Sequence, residues 1–145
     1  MIKLFISLLL VASATNIYAQ CLTCNSFNEA FKNPEQVTAI KINSMQHDVV
    51  LTEIPADIVK FINLKTLWLS SHEIIKINNA VCKLDNLRSL SLADNKLTSL
   101  PDCIYEMKNL EEIILNDNLF SAKTKEVIKN NFAKTNPGVK VFFGL

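Results

Sequence analysis

The sequence predicts an α/β solenoid, a right-handed stack of short repeats with a short parallel sheet on the concave face and helical or 3-10 returns on the convex face. The first observation behind this prediction is an internal period of 23 residues in the middle of the chain. The second is a change within each period, from apolar residues spaced by two to apolar residues spaced by three or four. The third is that the residues before and after the repeats have the pattern expected of segments that cover the two ends of a stack.

Two successive repeats carry apolar residues at corresponding positions. In the first repeat these residues are Leu64, Leu67, Leu69, Ile74, Ile77, Val81 and Leu84, and in the second they are Leu87, Leu90, Leu92, Leu97, Leu100, Ile104 and Met107. Each residue of the second set lies 23 positions after its counterpart, and a third repeat begins with Leu110, Ile113, Leu115 and Phe120. A unit of this size cannot bury its apolar face alone, so the repeats are expected to stack and to align their strands in one parallel sheet.

Each repeat is expected to contain one strand and one return. Leu90 and Leu92 alternate with other residues, which is typical of a short strand that buries every second side chain. Leu100, Ile104 and Met107 are spaced by four and three, which is typical of one or two turns of helix.

Residues 87–97 read LRSLSLADNKL and match the pattern L-x-x-L-x-L-x-x-N-x-L, which an L-P pair at 100–101 and Ile104 extend as L-P-x-x-I-x-x-L. On these residues the segment 37–120 resembles the leucine-rich-repeat family and its 23-residue subclass. The motifs Ala-Gln at 19–20 and Asn-Pro-Glu at 33–35 resemble small exported repeat proteins of Bacteroidota-like bacteria. The resemblance implies a non-catalytic module that binds a protein or peptide on its concave face. It leaves open a structural or carbohydrate-associating envelope protein.

An earlier repeat, which precedes the one at 64–84, departs from the pattern where its strand ends. Its strand positions are Val37, Ile40 and Ile42. Met45 then stands where the pattern has Asn, and Leu51 comes four residues late, so we interpret residues 47–50 as a small insertion. In the next repeat His72 replaces the Asn, and an inward His at this position is expected to satisfy backbone groups rather than to bind a ligand.

The sequence divides into a signal peptide at 1–19, an N-terminal cap at 20–36, the repeats at 37–120 and a C-terminal cap at 121–145. The signal peptide, or leader, has a basic start that is followed by an apolar run at 4–12. This run is too short to span a bilayer core of about 30 Å. Helices are expected within 26–32 and 122–133, and residues 139–143 are expected to form the fifth and last strand. The protein is therefore expected in the periplasm or outside the cell.

All four cysteines, Cys21, Cys24, Cys82 and Cys103, follow the leader, and an even count in an exported chain favours disulfides. In helical returns a step of 100° per residue turns Cys82 toward the next repeat and Cys103 toward the previous one, so these two are expected to pair. Cys21 would then pair with Cys24. Their C-x-x-C spacing also occurs in redox enzymes and zinc sites, but the sequence has no thioredoxin-like context and no second close pair.

Cys21 leaves one alternative open, because it follows the leader so closely. The first residue of a lipoprotein is a lipid-carrying cysteine, and lipidation would anchor the chain to a membrane. The preceding residues, Tyr18-Ala19-Gln20, do not match the usual lipoprotein signal. Membrane anchoring is therefore not expected.

Composition argues against several classes of function. The chain has 15 basic and 14 acidic residues, and removal of the leader, which contains Lys3, leaves 14 of each. The remaining chain therefore has no net positive charge that would attract nucleic acid or an anionic membrane. Two glycines in the whole chain leave no phosphate-binding loop, and no serine stands in a G-x-S-x-G motif. The acidic residues Asp94, Glu111, Glu112 and Asp117 lack a hydrolase motif. We therefore expect a monomer that is not an enzyme and has no cofactor or metal.

The binding surface is expected on the concave face, toward which the residues between the buried leucines point. The expected ligand-binding residues are Lys41, Trp68, Ser91 and Ile114 in a central column, with Lys65, Ser70, Arg88 and Asn116 beside them. Because Lys41 and Lys65 lie at one end, and Glu111 and Glu112 at the other, the face is expected to run from basic to acidic.

Trp68 is the expected anchor of this surface. It occupies an outward strand position where water favours a polar residue, and Ser70, Ser91 and Ala93 beside it are small. An anchor of this kind would contribute to binding and little to stability. The alternative is that the indole simply covers its neighbours.

Overall fold

The structure is a computed structural model that describes residues 22–47 and 49–144. The expected signal peptide and the lipidation alternative at Cys21 lie outside these residues. Within the described residues, six parallel strands form one sheet in chain order. The strands are β1 (Thr23–Cys24), β2 (Ala39–Asn43), β3 (Thr66–Ser70), β4 (Ser89–Ser91), β5 (Glu112–Ile114) and β6 (Lys140–Phe142). The predicted solenoid with a parallel sheet is confirmed.

The prediction of five strands was wrong, because the N-terminal cap adds β1. Thr23 and Cys24 pair in parallel with Ala39 and Ile40, and the Leu22 carbonyl accepts hydrogen bonds from the backbone of residues 38 and 39. A strand of two residues is too short to show the alternation by which strands are recognised in a sequence. Cys24 nevertheless lies fully inside the core.

The returns between successive strands from β1 to β5 contain 3-10 turns. They span Pro34–Gln36, Ala56–Lys60, Val81–Lys83 and Asp102–Glu106. Pro55 and Pro101 directly precede two of them, where a fixed φ and a missing N–H do no harm. Ile58, Val81 and Ile104 point inward and are fully buried, so the last three of these returns close the core opposite the strands.

The repeated apolar residues form the core as predicted. All of those in the three repeats are buried except Leu100, which is half-buried and packs against the others. Asn95 and Asn118 lie between repeats and satisfy backbone groups there. The Asn95 side chain accepts from the Ile74 N–H at 3.0 Å and donates to the Leu69 carbonyl at 2.8 Å.

His72 occupies the position that an asparagine has in the later repeats. Its predicted role, which is to satisfy backbone groups from an inward position, is confirmed. The side chain is buried, and its Nδ1 accepts a hydrogen bond from the Leu51 N–H at 3.3 Å. The corresponding bond to Asn118 comes from the Leu97 N–H at 2.9 Å. Leu51 therefore resumes the repeat after extra residues, which include α1 (Ser44–His47) and the exposed Met45. The insertion thus begins three residues before the position predicted for it.

Helical segments cover both ends. A single helical turn at Phe27–Ala30 is capped by Ser26, and Phe31 just after it packs on Phe61 at a ring distance of 4.9 Å. The C-terminal helix α2 (Ala122–Thr135) begins at the cap residue Ser121, whose hydroxyl accepts from the Thr124 N–H at 3.0 Å. Both predicted helices and the last strand are present, and α2 ends two residues later than expected.

The predicted disulfide between Cys82 and Cys103 is present. It joins two successive returns, with the Cα atoms 5.8 Å apart. Cys24 is also disulfide-bonded, whereas Cys21, its expected partner, lies outside the described residues. The disulfide links two successive repeats on the convex side of the stack, opposite the sheet.

Candidate functional site on the concave face

The strand register arranges the outward residues in columns that cross the sheet. The central column runs Lys41, Trp68, Ser91, Ile114 and Phe142 from β2 to β6. A second column runs Ala39, Thr66, Ser89, Glu112 and Lys140. The first four central residues are the ones predicted from the sequence, and the register places them on adjacent strands.

Trp68 is held in place from both sides. The Lys41 ammonium lies 4.1 Å from the centre of the indole ring, within the range of a cation–π interaction. On the other side the indole N–H donates to Ser89 Oγ at 2.8 Å, and the Ser89 hydroxyl donates to Glu112 Oε1 at 2.6 Å. A chain of polar contacts therefore crosses four strands, and it orients a half-buried aromatic ring in the middle of the face.

The hydroxyl groups beside Trp68 form the floor of the face. Ser70 and Ser91 lie 3.3 Å apart at their Oγ atoms, close enough to share a hydrogen bond. Ser91 is only 5% exposed. It was predicted as a ligand-binding residue, but it offers a ligand little surface and mainly leaves space between the larger side chains of Trp68 and Ile114.

Arg88 and Glu111 pair across neighbouring repeats. Arg88 Nη1 lies 2.5 Å from Glu111 Oε1, and both side chains are largely exposed. An exposed ion pair of this kind contributes little stability, but it neutralises both charges locally. Arg88 therefore offers less free positive charge than the sequence suggested, whereas Lys65, which precedes β3, is exposed.

Phe142 is a member of the face that the sequence analysis missed. It pairs with Ile114 in the register, and 44% of its side chain is exposed. The sequence contains a signal for this, because in the strand expected at 139–143 an inward Val139 and Val141 would leave Lys140 and Phe142 pointing outward. The apolar part of the face is therefore longer than predicted.

A shallow cavity of about 350 Å³ adjoins Phe142 at the end of β6. It is lined by Asn116, Lys129, Val141, Phe142, Phe143 and Gly144. The side-chain oxygen of Asn116 is buried there and accepts no hydrogen bond from the described residues. The Lys129 ammonium lies 5.7 Å from the ring centre of Phe143.

The charge pattern differs from the predicted trend at its far end. From β2 to β5 the charged side chains of the face change from basic to acidic as predicted, and Glu112 lies on β5. Lys140 then follows Glu112 in the second column, and Lys129 lines the cavity beside Phe142. The face therefore carries lysines at both ends, with its two glutamates between them.

A second concavity of about 480 Å³ lies at the N-terminal cap. It is mostly apolar and is lined by Phe27, Phe31, Ile42, Val49, Leu51, Pro55 and three polar residues of the cap. Across residues 22–47 and 49–144, no cluster of three or more His, Cys, Asp or Glu side chains could hold a metal ion. Over the same ranges, no helix is long and apolar enough to cross a membrane.

The stacked strands, 3-10 returns and inward asparagines correspond to one known architecture. Residues 62–120 match the family model described as leucine rich repeat. The fold is a leucine-rich-repeat solenoid. No curated protein matches the sequence at a significant level.

Two solved structures share this leucine-rich-repeat architecture. A leucine-rich-repeat protein of Leptospira interrogans is 29% identical over 74% of this chain and 26% of its own, with a TM-score of 0.64. An internalin of Listeria monocytogenes is 18% identical over 75% of this chain and 27% of its own, with a TM-score of 0.50, and is similar in fold alone. This chain therefore spans about a quarter of the length of either protein.

Proposed function

We propose that this chain is an exported, non-catalytic module that binds a protein or peptide on the concave face of its solenoid. The observation that carries the proposal is Trp68, a half-buried aromatic side chain held in the middle of that face by Lys41 and Ser89. Concave faces are the surfaces that solenoid proteins use for binding. Orienting the indole before a partner arrives lowers the entropic cost of binding, as in other anchored interfaces.

The proposed surface contains the predicted residues in three roles. Trp68 and Ile114 supply apolar contact, and Ser70 and Ser91 form the floor. Lys41, Lys65, Arg88 and Asn116 supply polar contacts at the edges. Because β1 has two residues and the other strands have three to five, the area suits a peptide, a loop or one edge of a domain rather than a large interface.

Export is supported by the leader sequence and by the disulfide chemistry. Cys24, Cys82 and Cys103 are all oxidised, and structural disulfides persist outside the reducing cytosol. We also propose that the leader ends at residue 19, that caps at 20–36 and 121–145 flank the repeats at 37–120, and that the protein is a monomer. Membership of the 23-residue subclass and likeness to Bacteroidota-like proteins belong to the same proposal.

A display selection would test the proposed function. A library of random peptides would be selected on the oxidised domain, residues 20–145, and the enriched clones would be measured against variants. We expect enriched clones that bind the wild type and lose binding to Trp68→Ala. The matched control is Ile75→Ala, which removes an exposed apolar side chain of the same repeat beyond the strand.

Two results would overturn the proposal. One is the absence of any enriched clone, in which case retention of the domain by polysaccharide would favour the carbohydrate-associating alternative. The other is a set of clones whose binding is equally weakened by Trp68→Ala and Ile75→Ala. That result would place binding outside the concave face.

A further inference from the structure

Two aromatic side chains, the half-buried Trp68 and the exposed Phe142, lie in one column of the concave face at a definite separation. Trp68 is on β3 and Phe142 is on β6, in register through Ser91 and Ile114. Three strand spacings of about 4.8 Å place them about 14 Å apart along the column. The two residues between are a buried serine and a half-buried isoleucine, so the path between the aromatic rings is low and unobstructed.

This separation selects the conformation of a bound segment. An extended chain rises about 3.4 Å per residue and returns to the same side every second residue, so side chains four apart are about 14 Å apart on one face. Side chains three apart point to opposite sides. In a helix, one turn covers about 5.4 Å and two turns about 11 Å, and neither matches the separation. An extended segment crossing the strands fits both contacts.

The charges of the face favour an acidic segment. Lys41 lies over Trp68 at one end, and Lys140 and Lys129 lie beside Phe142 at the other. The glutamates between the ends already have partners, since Glu111 pairs with Arg88 and Glu112 accepts from Ser89. The ends of a bound segment would therefore meet ammonium groups, while its middle would meet acids that are already engaged.

We infer that the concave face binds an extended acidic peptide segment with two apolar side chains four residues apart, one on Trp68 and the other on Phe142. The inference rests on the proposed function and names the class of partner. The middle residue on the same side of the segment contacts Ile114. Acidic residues two positions outside the apolar pair, on the same side of the segment, contact Lys41 at one end and Lys129 or Lys140 at the other.

The single tryptophan of the chain makes a direct test possible, because its fluorescence reports on Trp68 alone. The probe is the peptide Asp-Ser-Leu-Ser-Thr-Ser-Leu-Ser-Asp. Two controls are Asp-Ser-Leu-Ser-Thr-Leu-Ser-Ser-Asp, which has the same composition with the leucines three apart, and Lys-Ser-Leu-Ser-Thr-Ser-Leu-Ser-Lys, which reverses the charge. We expect saturable changes in emission, with the probe binding about tenfold more tightly than either control.

A variant of Phe142 tests the second contact. Phe142→Ser should reduce the affinity of the probe to that of the control peptide with shifted spacing, whereas Ile75→Ala should leave it unchanged. Both substituted side chains are substantially exposed, so both variants are expected to fold. Equal affinities of the three peptides, no change in Trp68 emission, or binding that is insensitive to Phe142→Ser would overturn the inference.

The display selection separates this failure from failure of the proposed function. Clones that depend on Trp68 but show no preferred spacing of apolar residues would leave the binding function standing and exclude this partner class. If no clone depends on Trp68, both fail.

Discussion

At the scale of single residues, His72 shows how one side chain can substitute for another inside the stack. The position that His72 and Asn118 share in their repeats needs a hydrogen-bond acceptor for a backbone N–H of the previous repeat. His72 Nδ1 accepts from the Leu51 N–H, as Asn118 accepts from the Leu97 N–H. The identity of the residue matters less than the acceptor, because an unpaired buried N–H costs free energy.

His72→Leu and His72→Asn are therefore expected to differ. The leucine variant leaves the Leu51 N–H without its acceptor and should lose about 1–3 kcal/mol of unfolding free energy. The asparagine variant restores the acceptor and should stay within about 1 kcal/mol of the wild type. Urea unfolding followed by circular dichroism measures both. Equal losses in the two variants would mean that the imidazole is needed for its shape and not for its acceptor.

We expect Trp68 to contribute to stability as well as to the proposed binding, more than the sequence alone suggested. Its contacts with Lys41 and Ser89 predict that Trp68→Ala lowers the unfolding free energy by about 1–2 kcal/mol. Binding of a Trp68-dependent display clone should weaken about thirtyfold, and Lys41→Ala should weaken it less. Trp68→Phe keeps an aromatic ring without the N–H, so it should retain most of the binding. Equal effects of Trp68→Ala and Lys41→Ala on affinity would return Trp68 to a purely structural role.

At the scale of elements, the 3-10 returns depend for their stability on links to the rest of the protein. They are too short to be stable alone, since a helical turn in isolation gains too few hydrogen bonds for the residues it orders. In this chain two neighbouring returns are joined by the Cys82–Cys103 disulfide. The first directs Val81 into the core, and the second directs Ile104 and Tyr105 into it.

Replacing both bridging cysteines by serine should lower stability without changing the fold. The bridge closes a loop with a sequence separation of 21 residues. On the chain-entropy account, such a loop contributes about 3 kcal/mol. Cys82→Ser with Cys103→Ser should lower the unfolding free energy by that amount and keep the far-ultraviolet spectrum. The double variant avoids a free thiol, and both proteins are compared under oxidising conditions, which keep the disulfide of Cys24 intact in each. Unchanged stability in the double variant would show that the returns are fastened by packing alone.

At the scale of the whole molecule, the solenoid is a one-dimensional stack whose ends must be covered. At the C-terminal end, Ile128 and Phe132 of α2 are buried, and Phe132 packs edge-on against Tyr105 at 5.0 Å. Phe143 after β6 packs against Phe120 at 5.8 Å. The cap therefore covers both the sheet and the returns of the last repeat.

Truncation after Phe120 should expose this surface. We expect the truncated protein to aggregate, because the apolar faces of the last repeat and the edge of β5 would both meet solvent. Sedimentation and dye binding would measure the aggregation. Ser121→Ala is the mild control, since loss of one N-cap costs about 1 kcal/mol and leaves the cap in place. A truncated domain that stays monomeric with the melting behaviour of the full chain would show that residues 121–145 do not close the stack.

The sequence by itself determined the stack, because the features that define it are local spacings. The period of 23 residues identified the inward leucines, and the alternation at Leu90 and Leu92 identified the strands. The position of each cysteine within its return was enough to pair Cys82 with Cys103. His72 was assigned through its place in the same period. None of these conclusions needs the distance between two residues far apart in the chain.

Only the tertiary structure decided how the concave face is composed. β1 is too short to show a pattern, and Phe142 entered the central column through the register of β6 against β5. The contacts that connect Lys41 to Glu112, and the burial of Ser91, depend on side chains from strands more than 20 residues apart meeting at hydrogen-bond distance. Periodicity specifies which way a side chain points, because the backbone repeats. It does not specify which neighbours that side chain meets, because these are set by the packing of different side chains across strands.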